Sequence, residues 1–80
     1  MKVNLEIIKM NREKKKYTIN DMAEKLNLAN GSVYWKREAG HYKFKPEELM
    51  MVSKILGIPF KKLFLSESYS KLDINKEEVV

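Results

Sequence analysis

Residues 18–40, TINDMAEKLNLANGSVYWKREAG, hold two helix-start signals only twelve residues apart. Thr18 and Asp21 form a T-x-x-D pattern, a variant of the capping box in which side chain and backbone satisfy each other's free groups. Asn27 tolerates a left-handed backbone, and Asn30-Gly31 marks a turn and a fresh helix start. Gly40 then stops the second helix. The stretch is therefore constrained to two short helices joined by a tight turn. Met22, Ala23, Leu26 and Leu28 give the first its apolar face and exit. In the second, Tyr34 centres the buried face with Gly31, Arg37 and Glu38 beside it, so that Ser32, Val33, Trp35 and Lys36 project away.

The rest of the chain reads as helices around this pair. Residues 3–15 carry Val3, Leu5, Ile8 and Arg12 at helical spacing and end in the solvated run Lys14-Lys15-Lys16. HYKFK, residues 41–45, is a basic, aromatic connector. Pro46 suits the first turn of a fourth helix with Leu49, Val52 and Leu56 on one stripe, Glu47 and Glu48 complementing its dipole, and Gly57 as its stop. Ile58-Pro59 restarts the chain into a short fifth helix, with Phe60, Leu63 and Phe64 closing the core. The expected fold is all-α: five short helices in one domain over residues 1–65, followed by a tail over residues 66–80.

Eighty residues bury a core only marginally, so a compact helical core, a partner copy or both are expected. The absence of cysteine excludes disulfides and cysteine-based zinc sites. No apolar run nears the ~18–20 residues that span a bilayer, and the N-terminus lacks a signal-peptide pattern. These features predict a soluble protein of the cytoplasm. The net charge is +5, and it is unevenly spread: residues 1–65 carry 14 basic against 7 acidic side chains, and residues 66–80 carry 2 against 4. The excess of lysine over arginine also fits a plain compositional bias, and charge alone reports attraction to polyanions rather than a site.

A helix that spends an exposed face on small polar, aromatic and basic groups, in a net-positive chain, is a candidate for lying in a DNA groove. The base-reading candidates are Asn30, Ser32, Val33, Trp35 and Lys36: lysine donates to guanine, serine serves either role, and valine meets the thymine methyl. Trp35 also fits a partly buried core position. Phosphate positioning falls to Thr18, Asn20 and the N–H groups at the start of the second helix, and to Tyr42, Lys43 and Lys45. Arg12 and Glu38 have the chemistry of a bidentate pair tying helix one to the end of helix three. His41 stands alone, which argues against a metal site. No nucleophile–base set, glycine-rich phosphate loop or paired carboxylates point to an enzyme or to a cofactor.

The ordered set over residues 4–65 resembles the Cro/cI-type helix-turn-helix regulators of phages and mobile elements. Arg12-Glu13-Lys14-Lys15 with Tyr17-Thr18 is similar to the family's first junction, and Met22-Ala23 with Leu26-Asn27-Leu28 to its motif positions. Tyr34, Glu38 and Gly40 match the end of the recognition helix, and KPEELMMVSKILGIPFKKLF the last two helices. SVYWKREAG, the loop ending in Phe44 and the tail Tyr69-Ser70-Lys71-Leu72-Asp73 are similar to small Gram-positive phage regulators. The family usually has glutamine where Ile19 stands and glycine where Lys16 and Asn27 stand. Asn20 is the nearest amide that could take the glutamine's place. The segment at Asn30-Gly31 is one residue longer than usual, which leaves the base-contacting register open by one position.

The resemblance implies a lambda-repressor-like domain, sequence-specific binding of double-stranded DNA, regulation of transcription by occupancy in the bacterial cytoplasm, and a homodimer, with no membrane or small-molecule partner. Two other readings keep the fold: the antitoxin of a toxin–antitoxin pair, and a protein-interaction module that has lost DNA. Tyr69, Leu72, Ile74, Val79 and Val80 give the tail enough apolar surface to serve as a dimer arm, together with Phe60 and Phe64.

Overall fold

A computed structural model describes residues 2–65. Within them the chain is all-α: α1 (Leu5–Lys14), α2 (Ile19–Lys25), α3 (Gly31–Glu38), α4 (Pro46–Leu56) and a single 3-10 turn, Phe60–Leu63. Each helix begins where a local side chain answers its first free N–H groups. Asn4 Oδ1 accepts from Ile7 N–H (3.2 Å), Thr18 Oγ1 from Asp21 N–H (2.9 Å) and Asn30 Oδ1 from Val33 N–H (3.1 Å). Asp21 completes the box by accepting from Thr18 N–H at 2.8 Å. Helix α4 opens on Pro46, and Glu48 accepts from Lys45 N–H at 2.9 Å. Its stop, Gly57, is left-handed at φ 68°.

Three boundaries differ from the sequence expectation. Residues 3 and 4 lie outside α1, because Asn4 caps it and residues 2–4 pair antiparallel with residues 63–65. Asn4 N–H donates to Leu63 O (2.6 Å), Leu65 N–H to Lys2 O (2.8 Å), and Val3 bridges Phe64. The fifth element is one 3-10 turn rather than an α-helix, since Pro59 sets its start and Phe64 returns to extended backbone. Phe60 does not close the core: it is 44 % exposed and packs at a steep angle on Phe64, ring centroids 5.2 Å apart, while Leu63 is fully buried. The tail residues assigned to a dimer arm lie outside the described residues.

The core is formed by Ile8 of α1, Met22, Ala23 and Leu26 of α2 and its exit, Tyr34 of α3, Phe44, Leu49, Val52 and Leu56 around α4, and Ile58 and Leu63 beyond it. Helices α2 and α3 close on each other across Gly31, where a Cβ would overlap the Asn20 side-chain oxygen and stand 3.1 Å from Asn20 Cγ. A side chain there would displace the Asn20 side chain, so Gly31 leaves the room in which Asn20 sits against α3. Lys16 (φ 62°) and Asn27 (φ 59°) take left-handed backbone at the two helix exits. Asparagine adopts that conformation readily, while lysine does so at a cost.

Candidate nucleic-acid interface

Two buried ion pairs fix α3. Arg12 Nε donates to Glu38 Oε2 (2.9 Å) and Nη2 to Oε1 (3.1 Å), a bidentate fork across twenty-six positions of the chain. Arg12 Nη1 donates to Tyr17 O at 2.8 Å, and the Tyr34 hydroxyl donates to Glu38 Oε2 at 2.7 Å. The Arg12–Glu38 pair thus joins α1, the α1–α2 turn and the buried face of α3. The hydrogen bond to Glu38 raises the Arg12 pKa further, and burial together with Glu38 pushes the Tyr34 phenol well above its usual range.

The second pair joins α3 to α4. Arg37 Nε donates to Glu48 Oε1 (2.8 Å) and Nη2 to Oε2 (3.3 Å), and Glu48 Oε1 also takes the Lys45 N–H. Burial alone would raise the Glu48 pKa; the Arg37 and Lys45 hydrogen bonds and charges outweigh it and hold it below the ordinary carboxylate range. The sequence reading gave Glu48 only a dipole role. Its spacing from Lys45 fits a capping box, but nothing local signals Arg37.

With Gly31, Tyr34 and Glu38 buried, Ser32 and Trp35 are exposed and Val33 and Lys36 half-buried. Asn30 lies at the head of α3 with its side-chain oxygen committed to Val33 N–H, leaving its amide NH2 outward. Thr18 donates its N–H to the Asp21 carboxylate and accepts the Asp21 N–H on its hydroxyl. The Thr18 N–H foremost, and then its hydroxyl, hold the Asp21 carboxyl below the usual range. Asn20 is exposed where α2 meets α3.

After α3 the chain folds back over it. Gly40 is left-handed (φ 90°), and Lys36 O accepts from both His41 N–H (2.8 Å) and Tyr42 N–H (3.1 Å). Two side-chain contacts follow that turn: the Trp35 and His41 rings lie 5.3 Å apart, and Lys36 Nζ stands 5.4 Å from the centre of the Tyr42 ring. Tyr42, Lys43 and Lys45 are all exposed. His41 and Tyr42 extend the outward face of α3 through their contacts with Trp35 and Lys36. His41 was set aside in the sequence reading, and no pattern in the sequence marks its contact with Trp35.

Comparisons with known protein families, curated proteins and solved structures give no match to this chain. No described helix is long and apolar enough to cross a membrane.

Proposed function

We propose that the chain binds double-stranded DNA sequence-specifically and regulates transcription by occupying its site, in the manner of the Cro/cI-type, lambda-repressor-like regulators it resembles. The observation that carries this reading is the outward face of α3, with Ser32, Trp35 and Lys36 turned away from a tightly tied inner face. The exposed Lys43 and Lys45 of the loop that follows supply the phosphate contacts that orient such a helix in the major groove. Asn30, Ser32, Val33, Trp35 and Lys36 read base edges. Thr18 and Asn20, with the first N–H groups of α2, meet the backbone on the other side of the groove. Two forks at the last turn of α3, Arg12–Glu38 and Arg37–Glu48, support this role, because a helix that reads hydrogen-bond patterns must be held rigidly. Two copies, on half-sites about one helical turn (~34 Å) apart, supply the information one helix lacks.

The test is selection of bound duplexes from a random pool, followed by affinity against salt. Log affinity falls with log salt by about 0.9 per phosphate neutralised. A flat dependence, or no binding at low salt, refutes the reading. One observation favours a protein partner instead: Asp21 places a carboxylate at the start of α2, and Ile19 beside it offers no side-chain donor. A protein-interaction module would survive high salt and ignore duplex DNA.

A further inference from the structure

Tyr42 belongs to the basic loop and, by position alone, reads as one more phosphate contact. Its geometry gives it another task. Its N–H is spent on Lys36 O (3.1 Å), alongside that of His41, so the backbone of residues 41–42 is anchored to the last turn of α3. Its ring then lies beneath the Lys36 ammonium, 5.4 Å from Nζ to the ring centre. A lysine side chain has four rotatable bonds and much rotamer entropy to lose on binding. A cation held over an aromatic face loses part of that freedom before the ligand arrives. The backbone anchor matters as much as the ring, because a freely moving tyrosine would fix nothing. The neighbouring contact of Trp35 with His41 spans the same six-residue interval, so two consecutive outward residues of α3 are each held by a residue of the fold-back.

We infer that Tyr42 is a positioning residue for base recognition: its ring holds Lys36 in the rotamer that reaches the groove, and it acts through Lys36 rather than through its own hydroxyl on phosphate. The inference rests on the DNA-binding reading and deepens it. It makes Lys36 a pre-ordered donor, suited to an acceptor pair such as guanine O6 and N7.

The experiment uses the full chain, the duplex recovered by selection and a scrambled duplex of the same length. Tyr42→Phe keeps the ring and removes the hydroxyl, whereas Tyr42→Leu keeps bulk and removes the π face. Tyr42→Phe should bind the selected duplex within about 2-fold of the natural chain. Tyr42→Leu should lose about 3- to 10-fold on that duplex, the range of a partly desolvated cation–π contact, with little change on the scrambled one. In a Lys36→Met background the Tyr42→Leu loss should vanish, because nothing remains to be positioned. Circular dichroism of each variant separates misfolding from a lost contact. Equal losses for Tyr42→Phe and Tyr42→Leu would assign the role to the hydroxyl and overturn the inference, as would an undiminished loss in the Lys36→Met background. Absence of any duplex binding by the natural chain would remove the DNA reading, and the inference with it. A chain that binds the selected duplex but is indifferent to Tyr42→Leu retains the reading and loses only the inference.

Discussion

Removing the Glu38 carboxylate is the sharpest perturbation this structure offers. Glu38 accepts three hydrogen bonds, two from Arg12 and one from Tyr34, and its side chain is only 6 % exposed. In Glu38→Ala the Arg12 guanidinium, 10 % exposed, keeps Tyr17 O and a 3.8 Å approach to the exposed Glu13 carboxylate, neither of which neutralises it in a dry setting. Breaking a buried pair from one side costs about 3–5 kcal/mol. The orphaned Tyr34 hydroxyl adds about 1–3 kcal/mol, less whatever water enters the gap. A domain of this size has roughly 3–10 kcal/mol in all, so Glu38→Ala should be largely unfolded at 37 °C. Glu38→Gln retains shape and one acceptor but leaves the Arg12 charge unpaired and turns its NH2 on the arginine's donors, so it should cost about 3 kcal/mol, the low end of breaking a buried pair. The triple change Arg12→Met, Glu38→Leu, Tyr34→Phe removes every polar member at once. It should recover most of the stability, because an apolar set of similar volume has no charge to leave uncompensated. Urea unfolding followed at 222 nm gives all three values. A Glu38→Ala cost under 1 kcal/mol, or a triple variant no more stable than Glu38→Ala, would refute the argument that charge burial makes this fork consequential.

Other outcomes follow from single features. Lys16→Gly relieves left-handed strain at φ 62° and should stabilise by about 0.5–1 kcal/mol, seen as a melting temperature raised by roughly 3–6 °C. Glu48 and Asp21 have folded-state pKa values below their ordinary ones, so their contribution is complete above about pH 4.5 and is lost as pH falls through the lowered values. Acid titration of stability should therefore soften in Glu48→Gln below pH 4.5, with no difference in its slope between pH 6 and 8. Lys36→Ala should cost about 1–3 kcal/mol on the selected duplex and relax preference at one operator position, whereas Lys43→Ala should weaken all duplexes evenly, both read by fluorescence anisotropy. Gly31→Ala forces the Asn20 side-chain end away from α3, and its readout is a fall in duplex affinity at nearly unchanged melting temperature.

What could be read from the chain alone follows from the range over which its interactions act. Thr18 with Asp21, Asn30 with Val33, and Pro46 with Gly57 mark helix ends because caps and stops work within about one turn, so neighbouring letters contain both partners. The wheel centred on Tyr34 likewise separates the buried Gly31 and Glu38 from the exposed Ser32 and Trp35, since helical periodicity is itself local. Lys16 and Asn27, the two departures from glycine, do take left-handed backbone, a property of single residues in turns.

The tertiary structure decided what joins distant letters. Val3 fits helical spacing with Leu5 and Ile8, yet it stays outside α1 because it bridges Phe64, flanked by the hydrogen bonds of Asn4 with Leu63 and of Lys2 with Leu65. Phe60 is as apolar as Leu63, but the 3-10 turn points only Leu63 inward. The choice of Arg37 as partner for Glu48 depends on the chain path that brings the last turn of α3 to the first turn of α4, and the placement of Tyr42 under Lys36 depends on a reversal at Gly40. Composition allows many pairings of these charges and rings; burial and chain path select one, because an unpaired charge in a packed interior costs more than the chain can spare.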